Sequence, residues 1–588
     1  MTAHQQTAVQ ILRLVARTLA PERSFLWLAV VYGLGIGLLT LATPIAVQVL
    51  INTVAYTGLI APLMVLSFVL FGLLCASGLL NALRVHLMEI FGRRLYARLV
   101  AEISLKSLYA KNPFFADEGR GPLFNRYFDI ITVQKTVPVL VVGGFTILLQ
   151  MAAGFLLTSF YHPLFLAFNV TLIVMIWLIW LFWGRVSILS AVELSQQKHK
   201  AAAWLEGLGA SNGYFKSDRH IAYALDKTDE ATADYVNAHK KHFRHHFSQT
   251  VSFLILYAFA SAMLLGLGGL LVIREQLTLG QLVAAELVLS AAFFGMAQLG
   301  TYLMYFYDLC AASEELSLFD HVEQERPVAA RELPRSESAA LTFQRVRGDA
   351  RGQPALFDLH IPGGTTVQAA ADSHGVQRLF TNVLKRFETP IGGTAMLGDD
   401  DLLSLDHFTV RRQIIVLDRP SLIEMSIREY LSLARMNVTS SEMYKAISTV
   451  GLGPIIADLT EGLDTPLAST GWPLSTAETM QLKLAGALIA RPRVLVLNQL
   501  FDLLPRDFLR AAIKALQTDF KTTVIVFTNR REDLGLDRYL FLERERQRLF
   551  EDHVAFHDAV MARRALTHAE RDLEQEMQRK GEANHAIS

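Results

Sequence analysis

Residues 25–51 read FLWLAVVYGLGIGLLTLATPIAVQVLI, without one Asp, Glu, Lys or Arg. A helix of about 20 apolar residues crosses roughly 30 Å of hydrocarbon. A buried helix of a water-soluble domain is rarely apolar all round for so long, so this stretch reads as a membrane span. Taken as 24–50, it is the first of six such runs. The others lie near 58–83, 139–160, 162–184, 250–273 and 279–305.

The totals agree. The chain is 52% hydrophobic and 19% charged, a low charged share for a soluble protein. Its 588 residues are too many for one soluble domain. The formal net charge is zero, which gives no support for nucleic-acid binding. Cys75 and Cys310 are too few for a disulfide framework or a thiolate zinc site, and both are expected free, buried and inert. A polar stretch precedes the first span with no early cleavage site, so no signal peptide is expected.

Basic residues set the expected orientation. Arg13, Arg17 and Arg23 precede the first span; Arg93, Arg94, Arg98, Lys106 and Lys111 follow the second. Arg185, Lys198 and Lys200 follow the fourth, and Lys240, Lys241 and Arg244 precede the fifth. The opposite loops, YTGL, YHP and REQLTLG, are nearly free of them. Both termini and the two long loops are therefore expected in the cytoplasm, most simply at a bacterial inner membrane. Those long loops keep helical spacing, as in LYARLVAEISLKSLY (95–109). The spans are expected to run on as helices, with turns at NPFFADEG (112–119) and EGLGASNGYFKS (206–217).

Beyond the membrane half (1–320), residues 321–340 read as a charged, Pro-containing linker. Residues 341–560 alternate β-rich runs with helical patterns: ALTFQRV, TTVQAAA, RQIIVLD, RVLVLN, TTVIVFTN and RYLFLERER. That alternation predicts an α/β domain with a largely parallel sheet. Residues 561–588 read as a charged helical tail, solvated or partner-binding.

Six spans with deep helical loops, then a linker and an α/β domain, resemble the half-transporters of the ABC exporter family over about residues 8–560. TPIAVQVLINTV, the NPFF turn and LTLGQLVAAELVLSAAFFGMAQL resemble subunits that export peptides or proteins. GGTTVQAAADSHGVQRLFTNVLKRFETPIGG (363–393) has the strand–loop–helix layout of a phosphate-binding loop. RRQIIVLDRPSLIEMSIREYL (411–431) resembles the glutamine-loop segment, residues 462–500 the run from the signature through Walker B, and TTVIVFTNR (522–530) the switch strand.

The resemblance implies an ATP site, but the chemistry-bearing positions depart from the family pattern. A Walker A loop needs glycines to aim N–H groups at phosphates, a lysine to reach them and a hydroxyl for magnesium. The matching residues here are Ala371, Val376, Gln377 and Arg378, with Gly375 one place off register. Asn498 and Gln499 stand where Walker B carries a magnesium-binding aspartate and a water-polarising glutamate. Neither amide has the charge or the basicity. Asp418 replaces the loop glutamine and Asn529 the switch histidine. No aromatic residue is evident near Ala350 to stack on adenine. The signature LSGGQ becomes LSTAE (474–478), keeping Ser475 but adding Glu478. The expected consequence is no ATP hydrolysis by this chain alone, with ATP and magnesium bound weakly if at all.

Three further features carry expectations. Phe114 and Phe115 would anchor the NPFF turn on a nucleotide-type domain or within their own loop. Glu286, inside the sixth span, is a transport candidate because burying a carboxylate in lipid is costly. His242 and His246 have zinc-compatible i, i+4 spacing, but Lys240, Lys241 and Arg244 oppose a dication, so no metal is expected. The function stays open between three readings. One is an inactive exporter subunit working as a homo- or heterodimer in lipid, with possible secretion-system partners. The second is a non-transporting scaffold or regulator of export, and the third an ATP-independent carrier.

Overall fold

A computed structural model describes residues 7–51, 60–111, 121–325 and 339–566. The chain divides into two compact units, Met1–Glu325 and Arg326–Ser588.

The first unit is helical. An amphipathic helix α1 (Ala8–Leu19) precedes α2 (Arg23–Thr40) and α3 (Ala42–Val49), which together cover the first span. Then come α4 (Ile60–Leu108), α5 (Phe128–Val139), α6 (Phe145–Ser159), α7 (Pro163–Ala210), α8 (Asp218–Ile273) and α9 (Leu279–Ser317). A π-type turn at Leu140–Gly144 joins α5 to α6. Among the described residues, six helical segments are long and apolar enough to cross a membrane. The helices run well past the apolar runs: α8 has 56 residues, and α7 and α8 meet through a turn at 211–217. The NPFF turn, with Phe114 and Phe115, lies outside the described residues.

Lipid offers no hydrophobic drive for helix association, so close backbone approach matters there. At Gly143 an added Cβ would stand 2.5 Å from the Tyr302 ring, and at Gly300 2.6 Å from Thr250 Oγ1. Both glycines let α9 sit tightly on its neighbours. Where the helices leave the apolar zone they exchange charges. Asp129 on α5 takes His199 Nε2 at 2.6 Å and Lys198 Nζ at 2.9 Å, both from α7. Arg126 pairs with Glu315 of α9 at 2.6 Å. The expectation of two buried cysteines holds only for Cys310. Cys75 is exposed, because it lies on an outward face of α4, whose most apolar window is not buried within the chain.

The second unit is an α/β domain. Its strands are β1 (Leu341–Asp349), β2 (Pro354–Ile361), β3 (Thr366–Ala371), β4 (Gly392–Leu397), β5 (Asp400–Asp401), β6 (Ile414–Leu417), β7 (Met425–Ser426), β8 (Pro466–Leu467), β9 (Val494–Leu497), β10 (Thr523–Phe527), β11 (Arg538–Leu542) and β12 (Gln547–Phe550). The helices are α10 (His374–Leu384), α11 (His407–Gln413), α12 (Ile427–Ser432), α13 (Ser440–Thr449), α14 (Gly453–Asp458), α15 (Thr476–Ala490) and α16 (Arg506–Phe520). The central sheet runs β12-β11-β3-β10-β9-β6 and is parallel except for the β11–β12 edge pair. β9 and β10 are buried at every residue, as expected of strands covered on both faces.

A second, antiparallel sheet of order β2-β1-β4-β5 was not anticipated from the sequence. β2 and β4 are mixed in polarity; β2 pairs with β1 as a hairpin, whereas β4 pairs with it across more than 40 positions of sequence. Phe343, Phe357, Phe380 and Phe527 interlock between the two sheets, with ring centroids 5.0–6.2 Å apart. All four are essentially fully buried, each stabilising by about 1.5–3 kcal/mol through area alone. Residues 553–566 form a helix whose Phe556 and Val560 pack on Tyr539 and Phe541; the rest of the tail lies outside the described residues.

Candidate functional site

The parallel strands end together, and the residues that follow β3, β6, β9 and β10 converge in the second unit. β3 ends at Ala371, and only Asp372 and Ser373 separate it from α10. Ser373 caps that helix: its Oγ accepts the Val376 N–H at 3.4 Å, and its carbonyl accepts the Gln377 N–H at 3.2 Å. The cap thus takes up the Val376 N–H of the first turn. Gly375 lies in that first turn, close against the Ala350–Arg351 backbone turn. A Cβ there would sit 3.4 Å from both the Ala350 oxygen and Arg351 Cγ.

Gln377, one turn into α10, faces Gln499 at the end of β9. Gln377 Nε2 donates to Gln499 Oε1 at 3.1 Å, and Gln499 Nε2 donates back to Gln377 Oε1 at 2.7 Å. Each amide thus gives one donor and one acceptor to the other, in a closed pair without net charge. Asn498 turns the opposite way. Its Nδ2 donates to the Asp418 carbonyl at 2.9 Å, and its Oδ1 accepts the Leu500 N–H at 3.1 Å. The Asp418 carboxylate after β6 accepts from Lys385 Nζ at 2.9 Å. Burial holds the Lys385 ammonium below its usual pKa range, partly offset by Asp418. Arg378, half-buried, lends its carbonyl to Thr381 Oγ1 at 3.0 Å.

Asn529 follows β10, and its backbone N–H donates to Asp502 Oδ2 at 2.9 Å. Asp502 also accepts from Thr528 Oγ1 at 2.6 Å and pairs with Arg530. Ser475 stands apart from these contacts, as the N-cap of α15 in a full capping box with Glu478. The Ser475 N–H donates to Glu478 Oε2 at 2.7 Å, and Glu478 N–H donates to Ser475 Oγ at 3.3 Å. The positive end of α15 therefore already faces a carboxylate of its own chain.

The fold thus brings Ala371, Gly375, Gln377, Arg378, Asp418, Asn498 and Gln499 to one place, with Asn529 held beside it by Asp502. Sequence reading missed Lys385 and Asp502. Lys385 just past α10 reads as an ordinary complement to a helix C-terminus, which hides it. Arg563 was missed too: it reaches back from the C-terminal helix to 3.6 Å from Asp372 Oδ2.

In the first unit Glu286 is exposed on α9, its Oε1 accepting from Ser290 Oγ at 3.1 Å. His242 and His246 stack 6.3 Å apart, and His242 Nδ1 is taken by Ser190 Oγ at 2.9 Å. Among the described residues, no group of three or more His, Cys, Asp or Glu is placed to hold a metal.

Comparisons place this architecture among known proteins. Residues 26–207 match the ABC transporter transmembrane region. An uncharacterized ABC transporter ATP-binding protein of Bacillus subtilis, YknV, is 24% identical over 86% of this chain and 85% of its own length. The ABC multidrug transporter mdr2 of Aspergillus fumigatus is 24% identical over 77% of this chain, which spans 59% of that protein. The mitochondrial potassium channel ATP-binding subunit of Rattus norvegicus is 28% identical over 32% of this chain and 28% of its own length. A bacterial Atm1-family ABC exporter, solved with ATP bound, superposes with a TM-score of 0.78 over 92% of this chain and 99% of that one, at 17% identity. The chain thus carries an ABC transporter transmembrane region at residues 26–207 and has the fold of an ABC exporter, a multi-pass membrane protein with one membrane region followed by one α/β domain.

Proposed function

We propose that this chain is an exporter-type subunit whose own nucleotide site does not hydrolyse ATP. It works as a dimer, with a companion subunit supplying the motor, and exports a peptide, protein or other substrate. The α/β domain lies on the cytoplasmic side, most simply of a bacterial inner membrane. The observation that carries the reading is the Gln377–Gln499 pair. Phosphoryl transfer in this fold needs a cation on the terminal phosphates, a metal ligand and a group that polarises water. Here two amides occupy those places and satisfy each other. Asn498 is spent on the Asp418 carbonyl, and Asp418 on Lys385.

A non-transporting scaffold is the second reading, and Glu478 favours it. In a dimer of this family the signature helix completes the partner's site. Here its end is already capped by the chain's own carboxylate. That would weaken even an intact companion site.

The test is magnesium-dependent phosphate release from the chain purified alone in detergent. No turnover is expected. Turnover that Gln499→Ala or Arg378→Ala abolishes would overturn the proposal. Co-purification then separates the two readings: a companion with an intact lysine loop and Asp-Glu pair supports the exporter subunit, and a lone homodimer the scaffold.

A further inference from the structure

Helix α9 is enclosed on every side where it ends. All residues from Leu309 to Ser317 are buried, among them Ser313, Glu314 and Glu315. Glu314 is 5% exposed and Glu315 0%. Counted from Leu279, Glu314 lies roughly 50 Å along the helix, about 20 Å past what the hydrocarbon takes up. The positive groups of the surrounding elements are committed elsewhere. Arg126, ahead of α5, reaches Glu315 Oε2 at 2.6 Å, and Lys198 and His199 of α7 reach Asp129 at 2.9 and 2.6 Å. Arg17 of α1, at 3.3 Å, and Lys106 of α4 turn to Asp320. His242 and His246 of α8 stand edge-on to Tyr307, two turns back along α9. Asp308, six residues back, lies in the field of Lys198. Among the described residues, no donor meets Glu314 Oε2, Glu315 Oε1 or Ser313 Oγ. Three buried carboxylates, Asp129, Glu314 and Glu315, thus share the junction with two fixed cations, Arg126 and Lys198, and with His199. A buried carboxylate oxygen without a donor is costly as an anion, and a proton removes that cost.

We propose that Glu314 is a proton-binding site that makes the end of α9 a pH sensor: protonated, it lets the helix seat against α5 and α7, and ionised, with its proton released to water, it loosens that seat. Glu315 is the poorer candidate, because Arg126 already holds one of its oxygens. Burial, and then the charge of Glu315, push the Glu314 carboxyl up to about 7, with Arg126 opposing and Asp129 adding to the push. The folded chain therefore keeps a proton that the unfolded chain, with an ordinary carboxyl, gives up. The seat weakens as pH rises from about 4.5 toward 7 and changes little beyond. The charge of the site itself changes most near pH 7, so small shifts there alter its occupancy. None of this depends on what the α/β domain does with nucleotide.

The experiment uses the full chain in detergent. Infrared spectra of wild type minus Glu314→Gln isolate one carboxyl group. A protonated-acid carbonyl band is expected on the acid side of neutrality, fading with a midpoint near 7. Hydrogen exchange of the peptide carrying residues 309–317 gives the second reading. At matched pH the intrinsic exchange chemistry cancels, and wild type should exchange faster than Glu314→Gln. The ratio should grow to about tenfold or more between about pH 5 and pH 7 and then level off. Glu315→Gln removes the neighbouring charge, so the band in its own pH-difference spectrum should fade at lower pH than in wild type. That comparison needs no Glu314 variant. The amide matches the protonated acid in size and neutrality, so a Glu314→Gln chain that does not fold counts against the proposal. Absence of the band, a midpoint near the ordinary 4.5, an exchange ratio independent of pH, or a midpoint unmoved by Glu315→Gln overturns it.

Discussion

Asp418→Asn is the substitution whose cost can be worked most directly from the structure. Lys385 keeps 9% of its side chain exposed and Asp418 29%, with 2.9 Å between Nζ and Oδ2. Removing one partner of a fully buried pair costs about 3–5 kcal/mol, because the other charge is stranded. Asp418 is partly solvated, and the Lys385 ammonium also lies 4.9 Å from the Phe387 ring centroid, so the cost falls to about 2–3 kcal/mol. For a domain of this size each kcal/mol moves the melting point by about 2–4 °C, giving a drop of roughly 5–10 °C.

The pH dependence fixes the cause. Burial lowers the Lys385 pKa in the folded protein, so the unfolded chain binds more protons and stability from this group rises with pH. Without Asp418 the folded pKa falls further, so the loss is largest near neutrality and shrinks as pH rises toward the usual lysine range. Lys385→Met in the same background removes the stranded charge and should recover part of the loss. The assay is differential scanning fluorimetry of the full chain across pH, following the transition of the α/β domain. A melting point for Asp418→Asn within about a degree of wild type at neutral pH would refute the reasoning. So would a loss that grows with pH.

Three more outcomes are expected. Gly393 has φ +82°, and a Cβ there would fall 2.2 Å from the Arg345 carbonyl oxygen, so Gly393→Ala should destabilise the antiparallel sheet by about 2–4 kcal/mol by denaturant titration. Ser475→Ala removes the α15 cap and should cost about 1 kcal/mol in the same measurement, with Thr at that position largely restoring it. A water-soluble maleimide should leave both cysteines largely unlabelled in the native protein in lipid, Cys75 because its exposed face of the span meets hydrocarbon and Cys310 because it is buried, and label both after unfolding, as mass spectrometry of the two peptides can show.

The parts that could be read in advance share one property, a local signal. The run 25–51 excludes water on every face, and the runs ending at Leu497 and Phe527 are uniformly apolar, so spans and central strands were readable from the sequence. The turn between α7 and α8 announced itself through glycines and polar residues. The antiparallel sheet did not, because β2 alternates imperfectly and β4 pairs with β1 across more than 40 positions. At the site, the substitutions at Gln377, Asn498 and Gln499 were visible as residue types. That Gln377 and Gln499 hold each other could not be read, since 122 positions separate them. Lys385 and Arg563 escaped for the same reason: their partners, Asp418 and Asp372, are set by the fold.

Helix α8, with 56 residues, is roughly 84 Å long, more than twice the thickness of the hydrocarbon it must cross. Such a rod acts as a lever with its fulcrum in the bilayer. A tilt of about 5° about one end would sweep the other sideways by roughly 7 Å, more than the pitch of one helical turn. Small adjustments between close-packed glycine contacts on one side of the membrane can therefore become displacements of atomic-contact scale on the other. That amplification belongs to the geometry of the rod and needs no chemistry at its far end.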